Sequence, residues 1–337
     1  MTALKRRLAQ FCLILAGCVM ALLCAEGLVR LFDPHARDYV IPGGLFDIDG
    51  DLGWKLQAGK TATHHSRYFD VVYQINAQGY RDQPRHLSKD ENRYRILLYG
   101  DSQIFGWGVP AAQRFSNLVE EQQPSLEVWN LAVPGYGVDQ QILSYETRGQ
   151  SFDPDEVIFF LSTMTLRRTH YDRMYKKPKP KFVIDQHGVL RLVPIPRERQ
   201  AWTSLLYRVL SPLYLPYFVE RRLTILQAAL QSSRREPQQA IETEKMRIGA
   251  VEEKILGRAR NVALERQHRL TVIALLPEAE TKAWQRVCRQ LGIELFAIGF
   301  DDDIRGLIHG PYDTHWNAQA HRLIAEQLLS WLQTRSD

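Results

Sequence analysis

Ser102, in Gly100-Asp101-Ser102-Gln103, and the Asp313-x-His315 pair, in Tyr312-Asp313-Thr314-His315-Trp316-Asn317, are residues whose types could together perform nucleophilic chemistry. A serine hydroxyl is a weak nucleophile until a base takes its proton. Imidazole can do so near neutral pH, and does it better when a carboxylate fixes its tautomer and stabilises the cation that forms. Asp313 and His315 lie two residues apart and can make that pair locally. The chemistry expected of the three is acyl transfer through an ester on Ser102. Each segment also has a plainer reading: Asp101 or Ser102 as the cap of a following helix, Asp313 as a turn former, His315 as a surface residue. His321 falls on the final helical stretch and is read as a helix-face residue.

Such residues need a scaffold that brings distant segments together. Short apolar runs without helical period occur at 95–99, 126–131, 156–162, 270–276 and 293–298, each reading as a buried strand. Between them, 113–122, 138–148, 279–291 and 318–332 carry apolar residues at helical spacing. This alternation predicts a three-layer α/β/α sandwich with a mainly parallel sheet. Ser102 directly follows the first run, which puts it at the carboxyl edge of that sheet, where such folds keep their sites. About 100 residues separate the third and fourth strands, more than one crossover needs. We read an insertion at about 165–268, with a hairpin around Asp185 to Gly188 and helix from Trp202 to Gln267. Its charged runs, Arg221-Arg222 and Glu242 to Lys254, are expected on solvated helix faces.

Upstream, Lys5, Arg6 and Arg7 precede an unbroken apolar run from Phe11 to Ala25. Fifteen helical residues cover only about 22 Å. Pairing of Glu26 with Arg30, and the apolar Leu28, Val29, Leu31 and Phe32, extend the stretch to a spanning length. Residues 1–33 are therefore expected to be a single-pass anchor in the inner, cytoplasmic membrane. The positive flank keeps the N-terminus in the cytoplasm and places the remainder in the periplasm. A cleaved signal peptide, or a lipoprotein signal at Leu15-Ala16-Gly17-Cys18, is the alternative; the run continues past Cys18 instead of turning polar. Residues 34–92 form an extended or β preface, with a β run at Tyr68 to Ile75 and a turn at Asn76 to Gly79. Residues 93–337 form the catalytic domain.

Composition excludes several classes. The 43 Lys and Arg against 38 Asp and Glu are interspersed, so no nucleic-acid partner is indicated. Three of the four cysteines, Cys12, Cys18 and Cys24, lie in the first apolar run, which rules out a disulfide framework and leaves Cys288 as a core residue. His64-His65 is an isolated pair without metal-ligand spacing, and no phosphate-binding glycine loop is present, so neither metal nor cofactor is expected.

Gly100-Asp101-Ser102 after strand one, Asn130-Leu-Ala-Val-Pro-Gly135 after strand two and Asp313-x-His315 before the last helix resemble, in order and spacing, the GDSL/SGNH hydrolases. Phe105-Gly106-Trp107-Gly108-Val109 and Ile75-Asn76-Ala77-Gln78-Gly79-Tyr80-Arg81 look like the membrane-anchored, exported branch of that family, and Asp313-Thr-His-Trp316 is similar to a string in SGNH-like proteins of polysaccharide acetylation. The resemblance implies Ser102, His315 and Asp313 as the triad and the Ser102 and Gly135 amides as oxyanion donors. It implies an esterase or O-acyltransferase acting on an acylated carbohydrate or small ester of the envelope. An accessory protein binding a glycan or a membrane-bound acyltransferase is the alternative. The family's third oxyanion donor is an asparagine after strand three. This chain instead has Ser162, Thr163 and Thr165 there as substitute donors.

Overall fold

The computed structural model describes residues 3–35, 42, 44–175, 177–196, 213–219, 222, 223, 226, 238–300 and 304–335. They divide into two compact units, one formed by Met1–Ile41 and Leu205–Pro237, the other by Pro42–Ser204 and Gln238–Asp337. In the first, α1 (Ala3–Phe32) exposes Leu8, Phe11, Leu13, Ile14 and Leu22 along its length. The span from Lys5 to Phe32 is long and apolar enough to cross a membrane. At 1.5 Å per residue it reaches about 42 Å, against roughly 30 Å of hydrocarbon.

The second unit begins with two hairpins. They are β1 (Phe46–Asp49) with β2 (Gly53–Leu56), and β3 (Thr61–His65) with β4 (Asp70–Gln74), both antiparallel. In β4, Val71 and Tyr73 are buried while Asp70, Val72 and Gln74 are exposed, the period of a strand with one face covered. A turn follows in which the Asn76 side-chain oxygen accepts from the amides of Gln78 and Tyr80 at 3.1 and 3.0 Å, and Gly79 takes a positive φ of 84°.

The sheet then starts with β5 (Tyr94–Tyr99), followed by α2 (Ser102–Phe105), α3 (Phe115–Gln122), β6 (Leu126–Asn130), α4 (Val138–Arg148) and β7 (Glu156–Ser162). After β7 come α5 (Thr163–Arg168), the pairs β8 (Arg173–Met174) with β9 (Lys177–Pro178) and β10 (Lys181–Ile184) with β11 (Leu190–Val193), and α6 (Gln238–Glu265). The chain closes with β12 (Arg269–Leu275), α7 (Glu278–Leu291), β13 (Glu294–Ala297), the hairpin β14 (Ile308–Gly310) with β15 (Asp313–Trp316), and α8 (Ala318–Gln333).

Among the described residues, five strands form one parallel sheet in the order β13-β12-β7-β5-β6. Leu97, Phe159, Phe160, Val272 and Ile273 are fully buried in it. Helices α3 and α8 pack together, and α4, α6 and α7 pack successively on one another, giving the expected three layers. Each of the five runs read as strands matches its observed strand to within one residue.

Within the region read as an insertion, the hairpin forms where expected. Much of the helix expected from Trp202, namely 201–212, 220–221, 224–225 and 227–237, lies outside the described residues. The last part, α6, is the crossover helix between β7 and β12, with Ile255, Leu256, Ala259 and Ala263 buried. Its charges are not all solvated: Glu252 is buried and pairs with His170 across 2.8 Å, because this face of α6 packs on α4 and α5.

Candidate active site

The site begins at the carboxyl end of β5. Strand order reverses there, β6 lying on one side of β5 and β7 on the other, and such a switch point is where open α/β sheets keep their sites. Asp101 caps α2, its Oδ1 accepting from the Gln103 amide at 2.9 Å, so the capping reading of Gly-Asp-Ser holds for the aspartate. Its Oδ2 accepts from Arg168 Nη1 at 2.6 Å, tying α2 to α5. Any Cβ on Gly100 would run into Ile104, so only glycine lets the chain turn this tightly from strand to helix.

The hairpin β14–β15 supplies the other two groups. His315 Nε2 lies 2.8 Å from Ser102 Oγ, and His315 Nδ1 lies 2.7 Å from Asp313 Oδ1. With the proton assigned to Nδ1 by its carboxylate neighbour, Nε2 is free to accept from the Ser102 hydroxyl. Asp313 Oδ1 also accepts from the His315 amide at 3.1 Å, and Oδ2 accepts from Trp107 Nε1 at 3.2 Å. Burial pushes the Asp313 carboxyl upward, but the hydrogen bonds and charge of His315, with His309 nearby, outweigh it and hold the group below the ordinary carboxylate range. Ser102 is 3 % exposed.

Several residues that sequence reasoning did not single out hold these groups in place. Gln103, next to Ser102, donates from Nε2 to the Thr314 carbonyl at 3.3 Å and accepts at Oε1 from the Trp316 amide at 2.9 Å. It thus grips the backbone on both sides of His315. The Trp107 ring stacks on the His315 ring, centroids 4.9 Å apart and planes 21° from parallel. Behind it, His64 meets Trp107 edge-on at 4.7 Å, and the Tyr73 hydroxyl binds both His64 Nδ1 at 3.1 Å and the Gly108 amide at 2.9 Å. One member of the His64-His65 pair is therefore a buried brace under the Trp107 loop.

Arg81 secures the start of that loop from below. Its guanidinium donates to the carbonyls of Phe105, Gly106 and Val109 at 2.9, 2.6 and 2.5 Å and lies over the Tyr73 ring. Burial, with Arg114 close by, pulls its pKa down to about 9. The turn at 76–79 delivers this arginine, which gives the Asn76-to-Arg81 string a physical reason.

Gly135 takes φ 86°, and a side chain there would meet the rings of Tyr175 and Trp54. Trp54 also frames it through hydrogen bonds, Nε1 to the Pro134 carbonyl at 3.0 Å and its own carbonyl from the Tyr136 hydroxyl at 2.6 Å. Of the residues read as substitute donors, Ser162 and Thr165 use their hydroxyls to start α5. Ser162 Oγ accepts from the Thr165 amide at 3.2 Å, Thr165 Oγ1 accepts from the Ser162 amide at 2.8 Å, and Thr165 is buried. Thr163 is exposed at the first position of that helix. His321 lies on the inward face of α8, fully buried and stacked on Phe115. Cys288 is buried, and burial pushes its thiol up to about 12.

The arrangement can move a proton from a serine hydroxyl to an imidazole backed by a carboxylate. No family model matches the chain, and no curated protein matches it significantly. Solved structures similar to it include the psychrotrophic esterase EstA from Pseudoalteromonas sp., at 10% identity and a TM-score of 0.40 over 71% of this chain and 97% of that one. Another is a member of the lipolytic protein G-D-S-L family from Veillonella parvula, at 11% identity and 0.39 over 70% and 97%. A third is a two-domain esterase active on acetylated mannans, at 12% identity and 0.38 over 72% of this chain and 49% of that one. The assignment of chemistry rests on the residues of this chain.

Proposed function

We propose that this chain is a serine ester hydrolase or O-acyltransferase of the GDSL/SGNH kind. The observation that carries the reading is the continuous line from Ser102 Oγ through the His315 ring to Asp313, with contacts of 2.8 and 2.7 Å. Ser102 Oγ attacks the ester carbonyl and gives its proton to His315 Nε2. Asp313 holds the ring and stabilises the imidazolium. The amides of Ser102 and Gly135 receive the negative charge on the carbonyl oxygen. Collapse of the tetrahedral intermediate breaks the ester bond, and His315 returns the proton to the departing alkoxide. The acyl-serine then passes its acyl group to water or to a sugar hydroxyl by the same steps in reverse.

Anchoring in the inner membrane through α1, with the catalytic unit on the periplasmic side, favours an acylated carbohydrate of the envelope, with acetyl as the simplest acyl group. The test is fluorophosphonate labelling of the full chain in detergent. One adduct per chain, absent in Ser102→Ala, is expected. A folded chain that takes no label, or a label that survives Ser102→Ala, would overturn the reading. Acetyl release from an aryl acetate, measured with and without an oligosaccharide acceptor, then separates hydrolase from transferase.

A further inference from the structure

Part of the chain far from α1 in sequence joins it in the first unit. Of the 22 residues from Leu205 to Leu226, 14 are aliphatic or aromatic, and the charged ones are Arg208, Glu220, Arg221 and Arg222. This is an unusual composition for a solvated connection. Glu26, in the last two turns of α1, accepts hydrogen bonds from the amide of Tyr214 at 2.9 and 3.0 Å and from that of Leu215 at 2.8 Å. Its Oε1 also accepts from Arg30 Nε at 2.7 Å, and the Arg30 guanidinium lies 4.9 Å from the centre of the Tyr214 ring. A carboxylate in a membrane helix is costly unless it is paired. Here its partners are an arginine one turn on and the amides of Tyr214 and Leu215, at the start of the short helical stretch at 215–219.

At the end of that stretch and beyond it, Val219, Leu223 and Leu226 are 43, 51 and 54 % exposed. Arg222 lays its guanidinium 5.1 Å from the Phe218 ring centre, an apolar stem and ring with a charge at the tip. Pro212 and Pro216 interrupt the run, so it lacks the roughly 20 uninterrupted apolar residues of a second span. Tyrosines, a phenylalanine, exposed aliphatic residues and flanking arginines are the composition of a segment that lies at a membrane surface.

We propose that the segment carrying Tyr214, Phe218, Val219, Leu223 and Leu226 is a second membrane contact. It lies in the interfacial layer of the leaflet where the C-terminal end of α1 emerges, its apolar residues among the acyl chains and Arg222 at the headgroups. The occupant of this surface is the lipid bilayer, because the segment is hydrogen-bonded to a helix whose own exposed residues demand lipid. The inference rests on the reading of α1 as a spanning helix.

The test uses the full chain in vesicles of phosphatidylethanolamine and phosphatidylglycerol. These contain a phospholipid with a photoactivatable diazirine on its acyl chain, and adducts are mapped by mass spectrometry after irradiation. Adducts are expected both in α1 and in the peptide containing Val219 and Leu223. In Val219→Asp/Leu223→Asp the second set should fall about tenfold or more while the first is unchanged. Adducts in α1 alone would overturn the proposal, leave the anchor intact and turn attention to a protein partner for this surface. Absence of adducts from α1 would overturn the anchor reading itself, and this proposal with it.

Discussion

Gln103 and Trp316 are joined as two strands are joined: the Gln103 Oε1 accepts from the Trp316 amide at 2.9 Å, and the same side chain donates to the Thr314 carbonyl one residue to the other side of His315. The residue after the nucleophile therefore sets the height of the general base above it. Each bond contributes about 1 kcal/mol to stability, but a shift of about 1 Å in the imidazole can cost on the order of a hundredfold in rate.

Gln103→Ala is expected to lower kcat about 10- to 100-fold with KM within about twofold. Gln103→Glu keeps the acceptor for Trp316 and loses the donor to Thr314, so its kcat should fall between wild type and alanine. A role confined to stability would instead leave kcat unchanged once the protein is folded. Steady-state kinetics on a soluble aryl ester, with melting temperature as control, decides the matter.

Three donors converge on the Asp313 carboxylate: the ring Nδ1 and the amide of His315 on Oδ1, and the Trp107 indole on Oδ2. An asparagine there has one acceptor to offer, so either orientation of its amide sets a donor against a donor. If its oxygen serves Trp107, its NH2 faces His315 and stabilises the tautomer that cannot take the Ser102 proton. Asp313→Asn is expected to cost on the order of 10⁴-fold in kcat. Trp107→Phe removes the competing indole donor and keeps a ring over His315. The double variant should therefore be faster than Asp313→Asn alone. Equal or slower turnover of the double variant counts against this account.

Arg81 reaches three carbonyls of the Trp107 loop from a separate strand-and-turn segment. Arg81→Met would leave the carbonyls of Phe105 and Val109 without this donor, that of Gly106 keeping the Val109 amide, and we expect a loss on the order of 3 kcal/mol in denaturant unfolding. Arg81→Lys should rescue little, because one ammonium cannot reproduce a planar fork spread over three acceptors. Fluorophosphonate labelling of Ser102 should slow in both variants as the Trp107 loop loses its anchor.

The parallel strands were readable because strands covered on both faces are short, unbroken apolar runs, as in Glu156 to Ser162. The proximity of Ser102 to His315 was readable because Ser102 follows such a run, Asp313 and His315 come just before the last helix, and their residue types carry a known chemistry. The brace behind them was not. Trp54, His64, Tyr73 and Arg81 belong to hairpins and turns whose local pattern is that of a preface, and their contacts with Pro134, Trp107, Gly108 and Phe105 are set by tertiary packing. The burial of Glu252 escaped for a related reason: a charge-rich helix reads as solvated until its neighbours are known. His321 shows the limit of helical spacing, which places a residue on a face without saying how polar that face is.

Buried His321 also gives the fold a dependence on acidity. Its Nδ1 accepts from the Phe115 amide at 3.3 Å, which requires the neutral ring. Burial, together with Arg114 and Arg81, pushes its pKa down from 6.5 to about 3. At pH 7 the ring is neutral in the folded chain and mostly neutral in the unfolded one, so titration costs little. Below about pH 6.5 the unfolded chain binds a proton that the folded chain refuses, so stability falls as pH falls, by up to about 1.4 kcal/mol per unit, until the folded ring also protonates near pH 3. Asp313, held below its ordinary range, adds to the loss only below about pH 5, where the unfolded carboxyl begins to take up its proton. Denaturant midpoints of the full chain should therefore drop between pH 6.5 and 4.5, with His268 and His309, whose pKa values burial also lowers, adding to the fall, and Asp139 and Glu252, whose pKa values burial raises, opposing it. His321→Asn keeps an acceptor for Phe115 and has nothing to titrate, so it should flatten that part of the profile even if it lowers stability at pH 7. A drop of the same slope in His321→Asn would assign the acid sensitivity to another group.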